Sequence, residues 1–332
     1  MDWSKGYSAS YYLSIIDPAT WRDIERIEIT GGSISRTASG LRQSADITCT
    51  LFDTTKEKWV RVWLVASQKD GVAHEALFTG LTSVPEQNYD GNRIEYPLAC
   101  YSVLKPAEDV ILPRGWFAPQ GWLASDVIKN LLSVTPAPVE TADVSPALAD
   151  NIIAESGESN LSMVNKILNA VNWRMKIDGD GTIRIGPWAS EVSQTFGIHN
   201  DVIQLKVALK ADWFSCPNCF RAMSGDQNAV ARDDDPDSML STVSRGREIW
   251  KEESDVRLGS DEGLDQYAKR RLAELQSFTH VVNYDRRFDP AVNVTDVVQL
   301  QYPGQGLTDK YIVSSQSITL GHGATVSEEV VR

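Results

Sequence analysis

Long apolar runs, basic charge and cysteine are all scarce in this chain of 332 residues, and each shortage removes a class of function. No apolar run approaches the roughly 18 residues that a helix needs to cross a bilayer, so no membrane-spanning segment is expected. The opening residues "MDWSKGYSAS" place no apolar stretch behind a basic one, so export through a cleaved signal peptide is not expected either. Lysine and arginine number 32 against 45 acidic residues, a formal charge of −13. Sequence-independent binding to nucleic acid draws its affinity from counterions that Lys and Arg displace, and this balance is wrong for it. The four cysteines are Cys49, Cys100, Cys216 and Cys219. The first two sit in strand-like runs, "DITCTL" and "YPLACYS", as small buried residues do in a reducing compartment, so a disulfide scaffold is not expected.

Catalytic signatures are missing too. There is no G-x-S-x-G elbow, no H-E-x-x-H, no G-x-x-x-x-G-K-[ST] and no G-x-G-x-x-G between strand and helix. The four histidines, His74, His199, His280 and His322, form no spaced pair that could complete a zinc site with "SCPNCF". That C-x-x-C precedes strand-like sequence, where a redox dithiol would open a helix, so it reads as a turn. The acidic run Asp233, Asp234, Asp235 and Asp237 around Pro236 could hold a hard cation, but no second acidic segment helps it, and a solvated loop is the reading. "DGDG" at 178 to 181 offers two carboxylates, Asp178 and Asp180, where a calcium loop needs oxygen ligands at alternating positions and a closing Glu; the twelfth position is Ala189. With strand-like Met175 to Ile177 before it and Thr182 to Ile185 after it, the motif reads as a hairpin tip with Ile183 and Ile185 facing a core. No enzyme, metal or cofactor is expected.

What is present is periodicity. From 24 to about 104, apolar residues alternate with polar ones in "IERIEIT", "SISRT", "ADITCTLF", "KWVRVWLVA", "ALFTGLTSV" and "RIEYPLACYSVL", separated by turn-formers at 30 to 32, 69 to 71 and 89 to 91. The period then becomes helical. "WLASDVIKNLL" carries Leu123, Val127, Ile128, Leu131 and Leu132 on one face, and "SNLSMVNKILNAVNW" carries Leu161, Val164, Leu168 and Val171, with Ser159 or Asn160 as its cap. Alternation returns near 196 in "DVIQLKVAL", where Ile203, Leu205 and Val207 share a side, then in "CFRAMSG", "THVVNYDR", "DVVQLQY" and "KYIVSSQSITL". One helix, about 260 to 276, interrupts it, with Ser260 as N-cap, Asp261 and Glu262 in its first turn, and Leu264, Tyr267, Ala268, Leu272 and Leu275 as its stripe. Ten tryptophans are many for this length; Trp173 reads as core, whereas Trp116 and Phe117 in the loop-like "PRGWFAPQG" are candidate interface anchors.

The order of segments "LFTGLTSV", "ACYSVLKPAEDVILP", "WLASDVIKNLL", "NLSMVNKILNAVNWRMKIDGDGTIRIG", "CPNCFRAMSG", the stretch from "DDDPDSM" to "RRLAEL", and "VNVTDVVQLQYPG" with "DKYIVSSQSITLGHG" resembles that of phage tail baseplate hub proteins. That family includes prophage-like tail proteins and the hubs of contractile injection systems. The resemblance implies a β-rich α+β chain: two tail-tube-like antiparallel β-barrel domains with a small α/β domain between them. Residues 1–105 would be the first barrel with an N-terminal arm, 106–195 the α/β domain and 196–332 the second barrel. It further implies a structural virion protein, a homotrimer whose six barrels match a hexameric tail tube. Its partners would be the tube protein, distal tail or baseplate proteins, and a central spike or fibre protein. DNA would leave through its lumen without sequence-specific binding, past walls whose negative charge repels phosphates. Some hubs carry a lytic domain after this core; here the chain runs only to "SEEVVR", so wall cleavage is expected of another protein. A carbohydrate- or receptor-binding module that uses exposed tryptophans is the alternative.

Overall fold

In the computed structural model, all residues are described except 39–41, 84–86, 92, 189–190, 198–202, 211–213, 215, 257, 259–261, 278–280 and 332. The first region holds β1 (Ser8–Asp17), β2 (Arg22–Thr37), β3 (Gln43–Cys49), β4 (Trp59–Gln68), β5 (Gly71–Thr82), β6 (Asn88–Asp90) and β7 (Arg93–Ser102). The middle holds α1 (Lys105–Asp109), β8 (Phe117–Ala118), α2 (Ala124–Leu132), β9 (Val139–Thr141), β10 (Ile152–Ile153), α3 (Asn160–Ala170), β11 (Trp173–Ile177) and β12 (Ile183–Pro187). The last holds β13 (Val192–Gly197), β14 (Ile203–Lys210), β15 (Cys219–Ser224), β16 (Gln227–Arg232), α4 (Thr242–Arg245) and β17 (Trp250–Glu253). It continues with α5 (Leu264–Ser277), β18 (Val281–Arg287), β19 (Val297–Gln301), β20 (Lys310–Thr319) and β21 (Thr325–Val331).

Six strands of the first region close on themselves in the order β1-β4-β5-β7-β3-β2, with β2 returning to β1. Closure pairs every edge and leaves inward side chains such as Leu13, Val62, Leu64, Phe78 and Leu98 in one dry core. Ser8–Asp17, inside the stretch expected to be an arm, is instead a barrel strand paired on both sides. The expected turn at 30 to 32 is not a turn either: β2 runs unbroken for 16 residues with a bulge near Gly31. A side chain at Gly32 would stand 2.3 Å from the Asp46 carbonyl, so the backbones approach there as only glycine allows. The bulge lets one strand serve two partners on the same edge, β1 through Arg22 to Glu28 and β20 through Ser33 to Thr37.

Through that second pairing the barrel wall continues into the strands β13-β19-β20-β21-β18-β14. Among the described residues no pairing joins β13 to β14, so closure of a second barrel is not seen. "CFRAMSG" does not join this sheet. It forms β15, which pairs with β16 and β17 in a separate three-stranded sheet covered by α5. Tyr267, Ala268 and Leu272 of α5 are buried there against Phe220 and Ala229, as the helical stripe predicts; Ser260 and Asp261 lie outside the described residues, as do the side chains of Ile203, Leu205 and Val207. Packing also crosses the linear regions, for Phe288, Ile318, Leu320, Ala324 and Val326 fill the first barrel's core.

The middle region has its own core of α2, α3 and the β11–β12 hairpin. Ser159 caps α3 by accepting the Ser162 N–H at 3.2 Å. "DGDG" is a hairpin tip, closed by Asp178 N–H to Thr182 O at 3.0 Å, with Gly181 at φ +85° and Ile183 and Ile185 buried. The tip presses on the barrel. A Cβ at Gly179 would lie 1.7 Å from the Ala76 carbonyl oxygen, whereas one at Gly71 would meet nothing. Gly179→Ala should therefore cost about 1–3 kcal/mol through overpacking, read as a lower denaturation midpoint, while Gly71→Ala leaves the midpoint unchanged.

Candidate functional site

The residues singled out for chemistry are engaged in structure. Cys219 opens β15 and Cys216 lies beside Leu275, with no disulfide at either; burial pushes the Cys219 thiol up and the Cys49 thiol up to about 12, which keeps them protonated and unreactive. Asp233 accepts from Ser238 Oγ at 2.7 Å and Gln276 Nε2 at 3.1 Å, and Asp235 accepts the Asp237 N–H at 2.9 Å. Asp178 pairs with Arg184 at 2.5 Å. No group of three or more His, Cys, Asp or Glu is placed to share a cation among the described residues.

Polar chemistry concentrates instead where the three regions meet. Arg36 of β2 is buried and donates to Asn293 Oδ1 at 3.1 Å, to Gln316 Oε1 at 3.2 Å and to the Leu77 carbonyl of β5. Asn293 passes the connection on, donating to the Ile177 carbonyl beneath the hairpin tip at 3.1 Å; Gln43 donates to the same oxygen at 3.2 Å. The tip's other carbonyls are also taken. Thr79 Oγ1 donates to Gly179 O at 2.8 Å, and Arg61 and Trp21 Nε1 donate to Asp180 O at 2.9 and 3.1 Å. Burial, with the like charge of Arg286 nearby, lowers Arg36 to about 10. Arg286 is itself fully buried, yet its forked pair with Glu328, at 2.9 and 2.5 Å, outweighs that burial and holds its pKa above the ordinary value. Glu328 also accepts from Gln316 at 2.6 Å, which links the two guanidinium groups.

The opposite face of the same strands has another character. Ser35, Thr37, Ser315, Ser317, Ser327 and Asp285 alternate with the buried set and line a shallow groove of about 410 Å³ across β2, β20, β21 and β18. Glu329 is in this groove, and among the described residues no lysine or arginine lines it. It crosses the join between the first barrel and the last region, so neither region forms it alone. No local signal in "SISRT", "VSSQSIT" or "TVSEEVV" marks it; only the pairing does.

Of the two expected anchors, Trp116 is half-buried against the middle core, whereas Phe117, in β8, is exposed. Trp173 is buried, as expected. Trp21 and Trp59 pack with ring centroids 5.6 Å apart beside the hairpin. Trp122 and Trp250 are the exposed tryptophans among the described residues; Trp213 lies outside them. Trp250 has Arg221 over its ring and donates to Glu248, so that face is already occupied.

No protein-family model matches the chain, and no curated protein is similar to it in sequence. Its fold is shared with solved structures. One is a tail protein from Neisseria meningitidis, 15% identical, with a TM-score of 0.73 over 98% of this chain and 97% of that one. Another is a prophage tail protein from Shewanella oneidensis, 13% identical, with the same score and coverage. A component of the type VI secretion system of E. coli, described as structurally similar to bacteriophage tail proteins, matches at 9% identity and a TM-score of 0.50 over 92% of this chain and 73% of that one. The β-rich tail-protein fold is thereby established.

Glu328→Gln leaves the buried Arg286 without its hydrogen-bonded carboxylate and should lower stability by about 3–5 kcal/mol; replacing Arg286 and Glu328 together by Met should recover most of it, both read by chemical denaturation. A second prediction concerns Glu158 at the start of α3. Burial opposes its charge, but the Glu155 N–H, Lys166 and Ser162 outweigh it and hold its carboxyl below its ordinary value. A depressed carboxyl contributes stability above its unfolded pKa and loses it as the pH falls through the folded one. Glu158→Gln should therefore cost about 1–3 kcal/mol at neutral pH, and denaturation curves of variant and wild type should converge as the pH falls through the depressed folded-state pKa of Glu158.

Proposed function

We propose that this chain is a structural hub of a phage tail baseplate or tail tip, working in the virion as a homotrimeric ring without catalysis. The observation that carries the reading is the fold likeness to two tail proteins across 98% of this chain and 97% of each of theirs. A six-stranded closed barrel joined edge to edge with a second six-stranded set suits a ring that presents six similar walls from three chains. Such a ring joins a hexameric tube on one side to a trimeric spike or fibre protein on the other, and distal tail or baseplate proteins surround it. In chain terms, 1–105 and 196–332 supply the walls and 106–195 the outer domain.

The hydroxyl-rich face across β2, β20, β21 and β18 is the part we assign to the lumen. Serine and threonine hydroxyls hold water, and Asp285 and Glu329 repel phosphate, so DNA passing along it meets, among the described residues, no cation to displace its counterions. A glycan-binding module is the lesser reading, since it would rest on Trp122 without a second free platform among the described residues.

Mass measurement of the purified chain with tube and spike partners should find trimers, and imaging of particles should place the chain at the tail end. A chain that stays monomeric in every mixture and is missing from the tail overturns the proposal. Ser317→Lys with Ser327→Lys should slow DNA release from otherwise intact particles; unchanged release would remove this face from the lumen.

A further inference from the structure

Residues 110–125 and 145–160 of the middle region run side by side in one unshifted antiparallel register. Backbone bonds join Asn160 to Val110, Leu112 to Glu158, Ala154 to Trp116, Leu148 to Trp122 and Ala124 to Pro146, and β8 pairs with β10 between them. The two strands alternate as a half-buried ribbon must. Ala118 and Ile152 face the core, while Phe117 and Ile153, directly opposite each other, face out with 48% and 55% of their surfaces exposed. Ile111 and Leu123, which the same register puts on the side of Phe117, are 62% and 44% exposed. Single exposed apolar residues need no explanation, but Ile111, Phe117, Leu123 and Ile153, four large ones on one side of a two-stranded ribbon, are an apolar surface that water does not favour. No third strand pairs with β8 or β10 among the described residues.

Charge narrows the occupant. From 105 to 166 the chain carries eight acidic and four basic side chains. Lys105 is shared by Glu108 and Asp109, and Lys166 by Glu155 and Glu158. Asp126, Asp143 and Asp150 are exposed and have no ion-pair partner among the described residues, nor have Arg114 and Lys129, so the exposed balance around the ribbon stays acidic. Two copies meeting through this face would bring like charges together, and an anionic lipid surface would be repelled. We propose that the outward face of this ribbon docks a different protein of the same assembly, one that offers apolar side chains inside a rim of lysine and arginine. The partner's place in the assembly rests on the tail reading above; the chemistry of the surface does not.

Two experiments separate those dependencies. A photoreactive benzophenone side chain at position 117, in assembled particles, should cross-link to a second protein at an apolar segment flanked by Lys or Arg. A cross-link to another copy of this chain, or none in particles that contain it, overturns the proposal. With the purified full chain, an alternating Leu-Lys peptide should shift tryptophan emission and an alternating Leu-Glu peptide should not. Phe117→Ser with Ile153→Ser should weaken Leu-Lys binding at least about tenfold with unchanged circular dichroism, whereas Ile24→Ser, an exposed apolar position elsewhere, leaves it intact. Equal binding by wild type and the double variant overturns the surface. If the chain does not enter particles at all, the tail reading fails while the peptide comparison still decides the ribbon.

Discussion

A guanidinium group taken out of water has to find its hydrogen bonds inside the protein, and Arg36 finds them on three separate pieces of chain. Leu77 belongs to the first barrel, Gln316 to the last sheet, and Asn293 carries the connection to Ile177 under the hairpin tip. Leu77 belongs to the first barrel's core, whereas Asn293 lies between Val292 and Val294 of the last region's core. The arrangement of the three regions is consequently coupled through one desolvated network, in which the Glu328 carboxylate offsets part of the charge of Arg286 and Arg36.

The surfaces follow from that junction. Because β2 leaves β1 at its bulge and takes β20 as partner, the barrel wall and the last sheet share one pleat. Arg36, Gln316 and Glu328 then fall on the dry side and the hydroxyl face on the wet side, by the simple alternation of neighbouring residues. The hairpin tip, held by Arg61, Thr79 and Trp21, fixes the middle region against the barrel. A rigid junction of this kind suits a part that transmits position within an assembly, and the proposed hub role needs no reactive group. The thiols are buried, and Asp233 and Asp235 of the 233–237 loop accept backbone N–H groups of its turns.

Legibility varied with how local each cause was. Helices α2, α3 and α5 and the "DGDG" hairpin were readable because their apolar spacing, cap and glycine act within a few residues. Strand β1 escaped because "LSII" buries four residues in a row, masking alternation. Gly31 and Gly32 read as a turn because a glycine pair in sequence does not distinguish a reversal from a bulge; the close Asp46 carbonyl does. β15 was assigned to the wrong sheet because strand propensity carries no partner. Trp116 and Phe117 were chosen together as neighbours in a loop, yet adjacent residues of a strand point to opposite sides, so only Phe117 is left fully outward.

Sequence by itself determined the β, α/β, β order and the approximate positions of the three longer helices, α2, α3 and α5. It also set the acidic balance and the lack of any spaced catalytic or metal-binding motif, since all of these are properties of composition and of contacts within a turn or two. The tertiary structure alone decided that β2 would join two sheets, that Arg36 would bridge three regions, and that hydroxyls from three strands would share one face. Those depend on which distant strands pair and in what register, and a one-residue slip in that pairing would turn the same sequence inside out.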